Sequence, residues 1–258
     1  MSPNAFRSRL LSGTPVFVTT LDFPEPSAAE FLSELGVDGV AVDTEHVSVT
    51  GPQIVDLARA CKAGSGALVV KTSADPESIA RYLDAGVAAL QIAHVRSRQD
   101  VDNVVKACGF APEGLRGLGR CRNSNFGHYP GGYQQLTKDT RDSVALIVHI
   151  ESVEAVAVLD DILAAEAVDA VFVGAFDLSA SLGIPGEVLD DRVQDVIKDI
   201  VTRSLAAGKV VGMSASNPEQ TAAAIERGAS LLLSAQSRLM STAVSGLRSA
   251  RTMTGAVI

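Results

Sequence analysis

The 258-residue chain has no tryptophan, 4% aromatic residues and three cysteines. Cys61, Cys108 and Cys121 are odd in number and far apart, which excludes a disulfide framework and a clustered zinc site and points to a reducing, cytoplasmic setting. No stretch approaches the roughly 20 consecutive apolar residues that a membrane span requires. The N-terminal MSPNAFRSRLLSGTP lacks the apolar run of a signal segment, so a soluble, untargeted protein is expected. Positive charge is scarce too: 22 Lys and Arg face 30 Asp and Glu, for a net charge of −8. With no basic stripe to neutralise phosphates, nucleic acid is excluded as a partner. An anionic small substrate would need local positive charge from a metal, a lysine or an arginine.

What the chain has is apolar material, 47% of its residues, enough for one large core and one domain over residues 1–258. Short runs of Val, Ala, Ile and Leu recur, separated by segments of helical period. Eight are strand candidates: 15–21, 38–44, 67–73, 89–95, 145–151, 170–176, 209–215 and 230–236. Eight strand–helix units predict a single α/β chain folded as a (β/α)8 TIM barrel. Three helices are marked by their ends: SAAEFLSELG from Ser27 to Gly36, DPESIARYLDAG from Asp75 to Gly86, and NPEQTAAAIERG from Asn217 to Gly228. Each opens on a capping residue and closes on a glycine suited to the left-handed conformation. Residues 153–167 also have helical spacing. The exception is the polar, Gly-rich insertion at about 110–143, which holds two of the three tyrosines. A structureless insertion of this length predicts a lid over the barrel mouth or an oligomer contact.

In such a barrel the site is built at the C-terminal strand ends. The polar residues there are Asp43, Glu45 and His46 after strand two, Lys71 on strand three, His94 after strand four, His149 and Glu151 on strand five, Asp177 after strand six and Ser214 on strand seven. Glu151 and Asp177 end consecutive strands of a strand–helix–strand unit, so they emerge on the same side of the sheet. Two converging carboxylates either share a proton or hold a divalent cation. The alternative is a pair of helix caps. Asp43 and Glu45 either orient His46 and a metal-bound water or cap the next helix. His94 reads as a rim residue satisfied locally.

The run VDTEHVS resembles the D-x-E-H signature of the HpcH/HpaI aldolases, the metal-dependent class II pyruvate aldolases. ARYLDAG, GLRG at 114–117, HIES and GAFDLS match further family motifs in order, over about residues 8–250. The resemblance implies that Glu151 and Asp177 bind Mg²⁺ or Mn²⁺, together with the carboxylate and keto oxygens of a pyruvate-like 2-keto acid. It implies that His46 is the acid/base residue, that Asp84 pairs with it, and that the backbone of Gly174, Ala175 and Phe176 receives the substrate carboxylate. The expected reaction forms or cleaves a C–C bond between a pyruvate-type enolate and an aldehyde or keto-acid acceptor. Alternatives are 2-keto acid decarboxylation, a biosynthetic condensation, or an inactive barrel used for binding. The resemblance also implies homo-oligomers, from dimer to hexamer, with the C-terminal helix from about Ser237 exchanged between subunits; that helix could equally close its own barrel.

Five positions depart from the family pattern. Lys71 stands where the family has arginine, keeping the charge without the planar fork. It is expected to polarise the keto oxygen, with a different acyl donor or a Schiff base as the rival roles. His149 replaces glutamine and would either add a nitrogen ligand, favouring Mn²⁺, Co²⁺ or Zn²⁺, or touch the substrate. Phe176 replaces alanine, Ala175 proline and Ser214 an apolar residue, so a reshaped pocket is expected. Arg116, Arg120 and Arg122, in the insertion with His128, would meet an anionic substrate or a neighbouring subunit's acidic surface.

Overall fold

The computed structural model describes residues 1–253. Strands β1 Val16–Leu21, β2 Gly39–Asp43, β3 Ala67–Thr72, β4 Ala89–Ile92, β5 Ala145–Ile150, β6 Ala170–Val173, β7 Val210–Ser214 and β8 Leu231–Ala235 close into a barrel in chain order. Every neighbouring pair is parallel, including β1 with β8. Helix α1 Pro3–Leu10 precedes β1, and α2 Pro26–Glu34, α3 Gly51–Ala63, α4 Pro76–Ala85 and α5 Arg98–Cys108 follow the first four strands. Then come α6 Gly132–Ser143 before β5, α7 Val153–Ala157 and α8 Leu159–Leu163 before β6, and α9 Ala175–Ser181 and α10 Asp191–Ala206 before β7. Helix α11 Pro218–Glu226 and the terminal α12 Gln236–Met253 complete the chain.

The period of two along each strand explains both the core and the site. Val18, Ala41, Val69, Ala89, Ile147, Phe172 and Leu231 pack inside the barrel, while Val40, Val42, Val70, Val148 and Val171 pack outward against the helices. Two residues further along the inward set the chemistry changes, to Asp43, Lys71, His149 and Ser214. The barrel is therefore a dry core that becomes a polar mouth at its C-terminal end. Gly212 is required inside it, because a Cβ there would lie 2.7 Å from Phe172 Cδ2.

The other end is closed by α1, to which the sequence reading assigned no structure. Ser2 caps it, Pro3 occupies its first turn, and Phe6 and Leu10, one turn apart, are fully buried among the interior residues. Around that plug, Arg7 pairs with Asp169 at 2.8 Å, Arg9 with Asp38 at 3.1 Å, and the N-terminal ammonium donates to Gly66 O.

The caps expected at Asp75, Gly86, Asn217 and Gly228 are present: Asp75 accepts from Ser78 N–H, Asn217 from Gln220 N–H, and Gly86 and Gly228 have φ of 88° and 98°. Helix α2 begins earlier than the expected Ser27: Glu25 stands at the N-cap position without a side-chain hydrogen bond, and Pro26 opens the first turn because proline's fixed φ suits that position. The helix expected over 153–167 is two short ones within 153–163, since Val158 (φ −114°, ψ 21°) breaks the turn between them. The insertion is not structureless: its second half is α6, anchored by buried Leu136. It leaves the end of α5, far from its own mouth, and Asn123 N–H binds Asp84 O at the end of α4. A lid over the same chain's mouth is thus not what it builds. A cavity of about 630 Å³, lined in part by Cys108, Phe110, Lys138 and Leu146, lies beside this root. It opens at the barrel end away from the strand-end carboxylates.

Candidate active site

The polar mouth has two halves. On the first, Asp43 ends β2 and its Oδ1 accepts the N–H groups of Glu45 and His46, folding the DTEH turn around its own carboxylate. Lys71, beside Asp43 in the β2–β3 register, places Nζ 3.1 Å from Asp43 Oδ2 and 2.9 Å from Glu45 Oε2. Burial would raise both carboxyl pKa values, but the His46 N–H and Lys71 charge at Asp43, and the Lys71 and His94 hydrogen bonds at Glu45, hold both below the usual range. Burial would lower the Lys71 pKa; the Glu45 hydrogen bond and the Asp43 charge raise it instead. All three groups are ionised at neutral pH. Asp43, Glu45 and His46 each put a ligand-type atom within 4.8 Å of the others. The cation between the two carboxylates is nevertheless already there, as the Lys71 ammonium. His46 itself is open, its side chain 68% exposed and Nε2 3.8 Å from Glu45 Oε2.

On the second half, Glu151 lies one residue beyond β5, its side chain only 4% exposed. Oε1 accepts the His94 N–H at 2.7 Å and lies 3.3 Å from His94 Nδ1; Oε2 lies 3.2 Å from His149 Nδ1. Burial works to raise the Glu151 pKa, but His149 first and His94 second outweigh it and hold the carboxyl at about 2. The result is a buried anion with one donor residue on each oxygen and lone pairs to spare. His149 stacks on Phe172 with ring centroids 4.9 Å apart. Its Nδ1 faces Glu151 and its Nε2 is buried without a partner, so neither ring nitrogen is presented at the mouth as a ligand.

Gly174 follows β6 and packs directly on Glu151: a Cβ there would lie 2.5 Å from Glu151 Cβ and 2.8 Å from Oε2. The backbone and the carboxylate thus share a cradle that a side chain would fill. Asp177 stands in the first turn of α9, exposed, with no hydrogen bond or ion pair among the described residues. The cap alternative is removed for both acids. Ser152 caps α7, accepting from Ala155 N–H, and no side chain caps α9. A buried carboxylate just after β5 and an exposed one in α9 after β6, with only oxygen donors, fit a hard divalent cation. Gly174→Ala should push Glu151 aside while sparing the strands; we expect divalent-metal affinity to fall at least about tenfold, read by Mn²⁺ titration.

Phe176 is 62% exposed at the same rim, next to half-buried Ala175, and Ser214 is exposed at the end of β7. Asp84 is elsewhere. It ends α4, about 15 Å of helix from the mouth, and binds Arg116 Nη2 at 2.5 Å. It does not reach the His46 of its own chain. Arg116, expected to meet substrate or a neighbour, is instead inside the fold, its side chain 1% exposed and its guanidinium 4.6 Å above Phe110. His94 needs the larger correction. Far from being a locally satisfied rim residue, it touches Glu45 with one ring nitrogen and Glu151 with its N–H and the other. Its place after a buried strand was legible; its partners, far apart in the chain, were not.

The fold and mouth define a (β/α)8 barrel with an acidic, partly buried strand-end site, the architecture of a barrel enzyme. The family model for HpcH/HpaI aldolase/citrate lyase matches residues 21–236, and the chain belongs to that family. It is 33% identical to a 4-hydroxy-2-oxovalerate aldolase of Rhodococcus jostii over 81% of each chain. It is 32% identical to a hydroxypyruvate/pyruvate aldolase of Agrobacterium fabrum, over 89% of this chain and 86% of that one. Among solved structures, a family member from Burkholderia cenocepacia J2315 superposes with a TM-score of 0.88 at 28% identity, covering 96% and 99% of the two chains.

Proposed function

We propose that this protein is a divalent-metal-dependent aldolase, a carbon–carbon lyase that joins or separates a pyruvate-type 2-keto acid and an aldehyde or keto-acid acceptor. The observation that carries the reading is the ionised, buried Glu151 clasped by Gly174, with unpaired Asp177 three residues on in the first turn of α9. We assign these two residues as the protein ligands, with Mg²⁺ or Mn²⁺ preferred over Co²⁺ or Zn²⁺ because both donors are oxygens. When bound, the cation supplies Lewis acidity toward the keto acid.

The chain's own groups do the rest. Lys71 Nζ contributes positive charge where the keto oxygen becomes negative. The N–H groups at Ala175 and Phe176, at the start of α9, receive the substrate carboxylate; the Gly174 N–H, expected to join them, is instead committed to Ile150 O at 3.1 Å. Exposed His46, its turn fixed by Asp43 and its ring beside Glu45, exchanges the proton of the acceptor hydroxyl. Phe176 and Ser214 shape the acceptor side. His149 acts by orienting Glu151. Asp84, held by Arg116 away from its own mouth, would serve a His46 only across a subunit boundary.

Chelator-treated protein should release no pyruvate from a panel of 4-hydroxy-2-oxo acids, and Mg²⁺ or Mn²⁺ should restore release; full activity without metal would sink the reading. CO₂ release without an aldehyde product would move it to decarboxylation.

A homo-oligomer is part of the proposal. Along α12, Met240, Val244 and Leu247 are exposed, at 55%, 53% and 75%. Phe17, on the outward face of β1, is 44% exposed, and Phe31 and Leu35 at α2 are open as well. An exchanged α12 would cover both surfaces. Light scattering should give a multiple of 26.8 kDa, and deletion of α12 should reduce it to one; an unchanged mass after deletion would exclude the exchange. The three cysteines are all free, in keeping with the cytoplasmic placement we propose, and no described helix is long and apolar enough to cross a membrane.

A further inference from the structure

Lys71 is a point charge on a flexible stem, and nothing in its own chemistry fixes where that charge sits. In this mouth it is fixed by two carboxylates, Asp43 and Glu45. Asp43 is itself pinned by the two backbone N–H groups of its turn. Glu45 has no such anchor: the groups that meet its carboxylate are Lys71, the loosely placed His46 ring and His94 Nε2. His94 is held from the far side, because its N–H donates to Glu151 Oε1 at 2.7 Å and its Nδ1 lies 3.3 Å from the same oxygen.

The backbone of His94 bears on this directly. With φ of 58° it occupies the left-handed region, which a non-glycine residue adopts only where its surroundings over-determine it. That conformation aims N–H and ring at Glu151 while Nε2 reaches Glu45. Among the described residues no other side chain contacts both acids. His94 is thus a strut of fixed length between the carboxylate on β5 and the one that steadies the cation on β3.

We propose that His94 is a positioning residue: through Glu45 its ring holds Lys71 Nζ at a set place across the mouth from Glu151, while its backbone N–H separately orients Glu151. The inference rests on the metal-dependent aldolase reading, in which Lys71 and Glu151 act on one substrate. It has a specific corollary. An arginine at 71 would bring a rigid fork that can engage Asp43 and Glu45 together, so it would depend on the strut far less than lysine does.

The experiment is a double-mutant cycle of His94→Gly and Lys71→Arg in the metal-loaded oligomer, with melting temperatures to verify folding. Glycine keeps the N–H and adopts the left-handed conformation freely. His94→Gly should therefore bind Mn²⁺, followed by electron paramagnetic resonance, within about threefold of wild type, with KM little changed and kcat down at least about tenfold. In the Lys71→Arg background the same change should lower kcat less than about threefold, and His94→Asn, which tolerates the left-handed region, should recover part of the loss. An equal kcat loss in both backgrounds, no loss in either, or a tenfold weaker Mn²⁺ affinity would overturn the proposal. Those results presuppose a wild type that binds Mn²⁺ and cleaves a 4-hydroxy-2-oxo acid. A wild type that does neither overturns the aldolase reading instead.

Discussion

Glu151→Gln should fold and yet lose aldol cleavage by at least about a thousandfold in kcat, with no measurable Mn²⁺ binding. The substitution preserves shape: its single amide oxygen still accepts the His94 N–H, and its NH2 meets His149 Nδ1, which accepts in the other tautomer. What disappears is the buried negative charge, and in a low-dielectric pocket that charge is the reason for a cation to enter. Titration calorimetry and steady-state kinetics check the two halves of the expectation; Mn²⁺ bound with near wild-type affinity would remove Glu151 as a ligand. The same residue sets a pH signature in the metal-free protein. Its carboxyl is held at about 2 in the folded state, against an ordinary value of 4.5. A depressed acid contributes stability that is full above the unfolded value and is lost as pH falls through the folded one. The window therefore runs from about pH 4.5 down to about pH 2, with roughly 3 kcal/mol at stake. Urea midpoints measured across that range should fall more steeply for wild type than for Glu151→Gln.

Lys71→Met is expected to lower kcat by about a hundred- to a thousandfold, the usual cost of deleting a charge aimed at a developing oxyanion. It also leaves Asp43 and Glu45 facing each other without a counter-charge, so some loss of stability, on the order of 1–3 kcal/mol, should accompany it. Lys71→Arg restores charge and should restore most of the stability. Retention of more than a third of wild-type kcat in Lys71→Met would take the lysine out of the chemistry. Its geometry also speaks to the Schiff-base alternative. A lysine whose pKa is raised by two flanking carboxylates is protonated and a poor nucleophile. Borohydride with pyruvate should leave no adduct at Lys71 by mass spectrometry.

We propose that Phe176 and Ser214 bear on the selectivity of the mouth rather than on its chemistry. Both are exposed and make no polar contact across the mouth. They leave room for an acceptor without dictating which one.

Much of this protein was written locally in its sequence. The period of two in eight apolar runs dictates strands, the capping residues and glycines dictate where three helices begin and end, and strand–helix alternation leaves a closed parallel barrel as the arrangement that buries every apolar face. The positions of Asp43, Lys71, Glu151 and Asp177 at C-terminal strand ends follow from the same alternation, as does the ordered motif series that marks the family. Tertiary structure alone decided three things. Phe6 and Leu10 close the barrel floor because a short helix finds the interior open there. The insertion is rooted at Asp84 and Arg116, far from the mouth of its own chain. His94 joins Glu45 to Glu151. Each depends on contacts between segments far apart in the chain, and the last also on a left-handed backbone angle at a histidine; neither lateral distance between strand ends nor the sign of φ leaves a periodic mark in sequence.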